Sequence, residues 1–270
     1  MKTIKFLLLV LFLSPLLIQA QDENKTDAKG RKTGKWTVKY EDGKTTRYTG
    51  EFKDGKPIGE FKYYYETGEL KSTLKFRSDG KSSFAVFYHT KEDGGKKMSE
   101  GKYIDQKKDS TWVYYDNSEI KTYTQEYKND LEHGKKYIYY ISGKLSEEFT
   151  YVNGVLEGKW GQYFEGGHRR KVGNYKEGVL WGQVSVYNGE TGKLEQEMLY
   201  KKGVVHGLCT VYDEDGKMKK EVYFNNGNIV KESKVEEFKL LLEKEKEAKK
   251  DTKTNKSTTG TKTTSGTKTK

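Results

Sequence analysis

The sequence holds one cysteine and two prolines among 270 residues. A single thiol excludes a disulfide framework within the chain and any cysteine-rich metal site. Two prolines exclude collagen and proline-rich linkers, even beside 29 glycines. Hydrophobic residues make up 33% of the chain, below the roughly 45–50% usual for globular proteins. Long apolar runs are scarce too. The one pronounced run, Phe6 to Leu13, is shorter than the ~20 residues a spanning helix needs. What the chain does have is tyrosine: 21 of its 36 aromatic residues.

The two ends read differently from the body. Residues 1–20 form a secretory signal, with Lys2 and Lys5 before the apolar run, a break at Ser14-Pro15, and Ile18-Gln19-Ala20 as the cleavage site. No cysteine follows the run, so the acylated-lipoprotein reading fails. The mature chain is therefore expected to be exported, to the periplasm or the extracellular medium. Residues 21–33 read as a linker. Residues 251–270 carry nine threonines and five lysines with no aromatic or large aliphatic residue, the composition of a disordered tail. Before it, residues 233–250 read as an amphipathic helix. Ser233 and Glu236 form a capping box, and Val235, Phe238, Leu241 and Leu242 form an apolar stripe expected to pack near Val222, Phe224 and Ile229 and to cover the last strand edge.

Charge follows the same division. Of the formal +11, two charges belong to the signal and a net four to the tail, leaving +5 for residues 21–250. That balance argues against a nucleic-acid partner and for an ordinary solvated surface.

The body, residues 34–232, repeats. An aromatic precedes a turn at Phe52, Phe76, Tyr103, Tyr127, Tyr151, Tyr175, Tyr200 and Phe224, in steps of 24, 27, 24, 24, 24, 25 and 24. Each unit has the pattern of a β-hairpin. A six-residue strand rich in aromatic and β-branched types leads to a glycine turn, and an alternating strand leads to a second one. Gln106 and Asp130 replace the second-turn glycine in two units, where a looser turn is expected. No helix-length segment separates the strands, which excludes parallel βαβ units. The expected fold is all-β: an elongated antiparallel meander of about eight stacked hairpins, closed by a short C-terminal helix.

Gly158 to Tyr163 (GKWGQY) and Gly34 to Tyr40 (GKWTVKY) carry the first half of a repeat, and Tyr151 to Gly154 (YVNG) and Phe224 to Gly227 (FNNG) the second. This pattern resembles the MORN-repeat variant family, which includes exported 24-residue repeat proteins and YwqK-like antitoxin components. The resemblance covers residues 34–230. It implies hairpin repeats, protein or membrane contacts, and an antitoxin-like role as one alternative. The chain departs from the pattern around Ser83 to Gln106, where Ser83 stands in place of the leading glycine and the unit lengthens to 27 residues.

Candidate binding residues come from the repeat itself. Tyr64, Tyr88, Tyr115, Tyr139, Tyr163, Tyr187 and Tyr212 each stand five residues after the leading position. Such a row either serves repeat-to-repeat packing or offers ring faces to a glycan or an extended peptide. Packing takes precedence, because stacked repeats need such a row whatever they bind. The opposite strand face carries Trp36, Phe61, Ala85, Trp112, Lys136, Trp160, Val184 and Cys209 and is expected to be buried, with Cys209 a small core residue. Gly166 to Lys171 (GGHRRK) is either a solvated turn or a contact for anionic lipid or glycan. His89, His133, His168 and His206 lack ligand spacing, and neither a nucleophile elbow nor a phosphate loop occurs. No enzyme activity, cofactor or metal is expected. The expected partner is another protein at the cell envelope, with envelope polysaccharide as the alternative.

Overall fold

A computed structural model describes residues 23–258, with side-chain environments through 247. The signal segment 1–20 and residues 259–270 of the tail lie outside the described residues. The chain divides into two units, Met1–Gly80 and Lys81–Lys270. In the first, Lys32–Lys39 pairs with Thr46–Lys53, and Lys56–Tyr64 with Leu70–Phe76, all antiparallel. The two-residue strand Lys25–Thr26 pairs with Thr33 and Lys32, so ordered pairing begins inside the expected linker.

The second unit is a meander of six hairpins. Their return strands are Lys97–Ile104, Lys121–Lys128, Leu145–Val152, Arg169–Lys176, Leu194–Lys201 and Met218–Asn225. The expected hairpins are thus present, all antiparallel and, within each unit, each joined to the next by a tight turn.

Those turns explain the glycine spacing. Asn153-Gly154 has φ of 50° and 84°, and Asn226-Gly227 has 48° and 87°. Positive φ at both central residues is the type I′ geometry that matches the twist of paired strands. Gln106 and Asp130 were expected to loosen their turns. They do not: Asp105-Gln106 has φ of 48° and 65°, and Asn129-Asp130 has 52° and 69°. Pairing of Ile104 with Lys107 and of Lys128 with Leu131 leaves two residues for each turn, and the ladder imposes the conformation on a side chain that resists it. The extra residues of the long unit go instead to its first turn, between paired Tyr88 and Lys97.

One sheet face holds the core. In the second unit, registered neighbours run Ala85, Gly101, then Trp112, Gln125, Lys136, Phe149, then Trp160, Gly173, and Val184, Met198, Cys209, Val222. Ala85, Trp112, Trp160, Val184 and Cys209 are buried, as the sequence pattern requires, and so is Phe61 in the first unit. Glycines make room for the large rings. A Cβ on Gly101 would stand 2.3 Å from the Trp112 ring, and one on Gly50 would stand 2.4 Å from Phe61. Flanking aromatics close the row, with Tyr103 edge-on to Trp112 at 4.9 Å and Tyr175 edge-on to Trp160 at 5.9 Å. Lys136 is half-buried, its ammonium 5.0 Å from the Tyr123 ring.

The C-terminal helix spans Val235–Thr258, running past the expected end at 250 and into the expected tail. No glycine or proline interrupts it before Gly260. Ser233 does not cap it. It lies inside a 3₁₀ turn, Glu232–Lys234, whose own cap position makes no side-chain bond, and Glu236 pairs with Lys239 at 2.7 Å instead. The helix caps the last hairpin as expected, but its apolar stripe packs only in part. Ile229 is 68% exposed, and Leu241 of the expected stripe is 49% exposed. The helix seats on a sheet face: Phe238 is buried edge-on to the His206 ring at 5.7 Å, and Glu245 binds Lys201 at 2.5 Å. Exposed charges such as Lys219 and Lys220 on the last long strand add protection against edge pairing.

Candidate functional site

Every tyrosine of the predicted row is the last residue of its first strand. There the register slips by one at a bulge, which sets Tyr115 opposite Lys121, Tyr139 opposite Leu145, Tyr163 opposite Arg169 and Tyr187 opposite Leu194. All seven are half-buried. They lie on the face opposite the core row, and their rings are not open platforms.

Three hydroxyls are committed to carboxylates. Tyr115 donates to Glu100 at 2.5 Å, Tyr163 to Glu148 at 2.7 Å, and Tyr212 to Glu197 at 2.9 Å. The acceptor stands fifteen residues earlier in each case, on the preceding return strand. Thr124 and Val172 fill that slot for Tyr139 and Tyr187. Burial, then the bond to Glu148, pushes the Tyr163 phenol up to about 12. Burial and Glu100 raise Tyr115 in the same way, while at Tyr212 the bond to Glu197 comes first.

Between Glu148 and Glu197 the tyrosine face dips. The registered positions between them are Gly161, Val172 and Ser185, all short. A groove of about 360 Å³ opens there, walled by Lys159, Asn174 and Gln183 on one side and by Tyr163 and Arg169 on the other. Glu148 stands at one end. At the other, Glu197 accepts from Gln183 and from Ser185 at 3.5 Å. The two carboxylates are thus held by neutral donors, so their orientation is set before any ligand arrives.

Two sequence candidates meet at this groove: Tyr163 of the row and Arg169 of the basic cluster. The rest of that cluster does not join them. Lys171 points to the core face beside Gln162, and Arg170 lies 5.7 Å from the Phe164 ring. Glu148 and Glu197 were missed. Their signal was available, since glutamate recurs on alternate return strands fifteen residues before a row tyrosine. The histidines remain apart. Nδ1 of His206 accepts the Asn226 backbone N–H at 3.3 Å and Nδ1 of His133 that of Asn153 at 3.4 Å, equivalent roles in two repeats. Cys209 is buried in the core row, and burial pushes its thiol up. Among the described residues, no three His, Cys, Asp or Glu side chains are placed to hold a metal. No helix among them is long and apolar enough to cross a membrane.

Fold and site together define an antiparallel hairpin-repeat protein. Two of its repeats, residues 57–77 and 205–226, match the MORN repeat variant. Each match spans one hairpin, the first in one unit and the second in the other. Among solved structures the chain is similar to one titled "Crystal Structure of TarM", at 12% identity and a TM-score of 0.18, over 60% of this chain and 19% of that one. An overlap that loose bears on neither fold nor function. No curated protein matches the chain.

Proposed function

We propose that the chain is an exported, non-catalytic repeat scaffold that holds a protein partner at the cell envelope on its tyrosine face, with the Glu148–Arg169 groove as an anchor. One observation carries this reading. Three row tyrosines spend their hydroxyls on Glu100, Glu148 and Glu197, and all seven keep their rings half-buried, so the face offers a mixed polar groove rather than stacked open rings. A glycan platform needs flat exposed rings, whereas a protein interface is built from mixed patches. The repeat architecture supports it too, since stacked hairpins extend one face over many equivalent positions.

The test is capture from the native envelope fraction by the full chain. Wild type is expected to retain a discrete protein, and Glu148→Gln combined with Arg169→Glu to lose it. Cosedimentation with purified envelope polysaccharide, unaffected by protease treatment of the fraction, would decide for a glycan instead. The amide, carboxylate and guanidinium groups around the groove favour that second reading over lipid.

A further inference from the structure

The chain's own helix shows how the tyrosine face takes a ligand. Phe238 enters beside His206, Leu242 approaches Leu199 over Gly207, and Glu245, seven residues after Phe238, binds Lys201. The Lys239 ammonium lies 5.3 Å from the Tyr223 ring at the far side of this seat. The elements of the seat are fixed by the repeat. His206 precedes the leading glycine Gly207, and Lys201 ends the preceding return strand.

One hairpin earlier the same slots hold Trp181, Gly182 and Lys176. The backbone is equivalent. Tyr175 pairs with Leu180 as Tyr200 pairs with Val205, and Gly182 and Gly207 both have positive φ, at 80° and 111°. Trp181 is half-buried and Lys176 exposed, with the Lys176 ammonium 5.2 Å from the Trp181 ring. Leu199 is 37% exposed between the two seats. The chain's own helix docks on the later seat.

We propose that Trp181 and Lys176 form a second copy of the helix seat, and that it takes an amphipathic helix from the partner, with a large apolar residue followed seven positions later by a carboxylate. Seven residues are two helical turns, about 10.5 Å along the helix axis, and at the resident seat Phe238 and Glu245 converge from the two ends of that span on His206 and Lys201, with Glu245 also 3.9 Å from the His206 Nε2. The apolar residue packs on the indole as Phe238 packs on His206, and the carboxylate draws Lys176 as Glu245 draws Lys201. The copy adjoins the groove, with Lys176 two residues from its Asn174 wall. This names the partner class for the tyrosine face and rests on the reading of that face as protein-binding.

The probe is a fluorescein-labelled synthetic peptide of residues 231–250 of this sequence, titrated into the full chain and followed by anisotropy. Saturable binding is expected. Lys176→Glu should weaken it by about tenfold or more. A peptide carrying Glu245→Lys should bind the Lys176→Glu variant better than wild type, a rescue that a misfolded variant would not show. Loss on Lys201→Glu with no effect of Lys176→Glu would mean that the peptide merely displaces the resident helix, and would overturn the inference, as would absence of binding. If the peptide fails while envelope capture still depends on Glu148 and Arg169, the helical partner is wrong and the scaffold reading stands. If capture fails while the peptide binds, the reverse holds.

Discussion

Gln106 stands at φ of 65° in a two-residue turn whose counterparts Gly55, Gly154, Gly178, Gly203 and Gly227 are glycine. A side chain in that region costs about 1–2 kcal/mol, and glycine's greater unfolded entropy returns part of it. Gln106→Gly should therefore stabilise the protein by about 0.5–1 kcal/mol, read as a higher urea midpoint at unchanged slope. Asp130 is a poorer target, because its carboxylate accepts the Lys108 backbone N–H at 2.6 Å. Tyr163 gives a pH prediction. Its phenol is raised to about 12 in the fold, chiefly by burial and then by Glu148, against about 10 when unfolded. The folded state thus keeps a proton that the unfolded chain releases, so the Tyr163 contribution is intact below pH ~10 and is lost as pH rises toward 12. Tyr163→Phe should flatten the fall in stability over that window. Absorbance titration of the phenolates should show one late-ionising tyrosine fewer.

At the scale of elements, the helix depends on one ring. Phe238 is 6% exposed whereas Leu240 and Leu241 face solvent. Burying one such side chain is worth about 1.5–3 kcal/mol, comparable to what holds a single helix on a sheet. Phe238→Ala should release the helix, seen as fast amide exchange over residues 235–247 with strand amides unchanged. Protection that persists there would mean that Glu245 and Leu242 suffice. The apolar residues of this helix were legible in the sequence, but their assignment to one stripe was not. Leu241 follows Phe238 at helical spacing, yet the angle at which a helix meets a sheet decides which side of the stripe is covered.

At the scale of the whole molecule, strand pairing joins consecutive strands within each unit, and stability in such arrays is close to a sum of repeat and nearest-neighbour terms. Gly101→Ala tests this in the second unit. Its Cβ would fall 2.3 Å from the Trp112 ring, and overpacking of this kind costs about 1–3 kcal/mol. Exchange should accelerate in strands Ser82–Tyr88 through Lys121–Lys128 and stay at the wild-type rate in Leu194–Lys201 through Met218–Asn225. A uniform acceleration across the unit would mark it as one cooperative block instead.

Period, hairpin and face were determined by the sequence alone. A 24-residue spacing with glycine at two turns permits little but an antiparallel meander, and alternation along each strand sends Trp112 to one side and Tyr115 to the other, because successive side chains of a strand point oppositely. The same local logic put Cys209 in the core. Other features waited for the tertiary structure. The groove exists because Gly161, Val172 and Ser185, far apart in sequence, come into register on three neighbouring strands. Glu148 and Glu197 gain their meaning from tyrosines one strand away. Gln106 adopts a glycine's backbone because the strands on either side of it are already paired, and the helix seats where His206 and Lys201 meet. Local rules act within a strand and its turn. Side-chain partners across strands are set by register and bulges, and those emerge only when the hairpins stack.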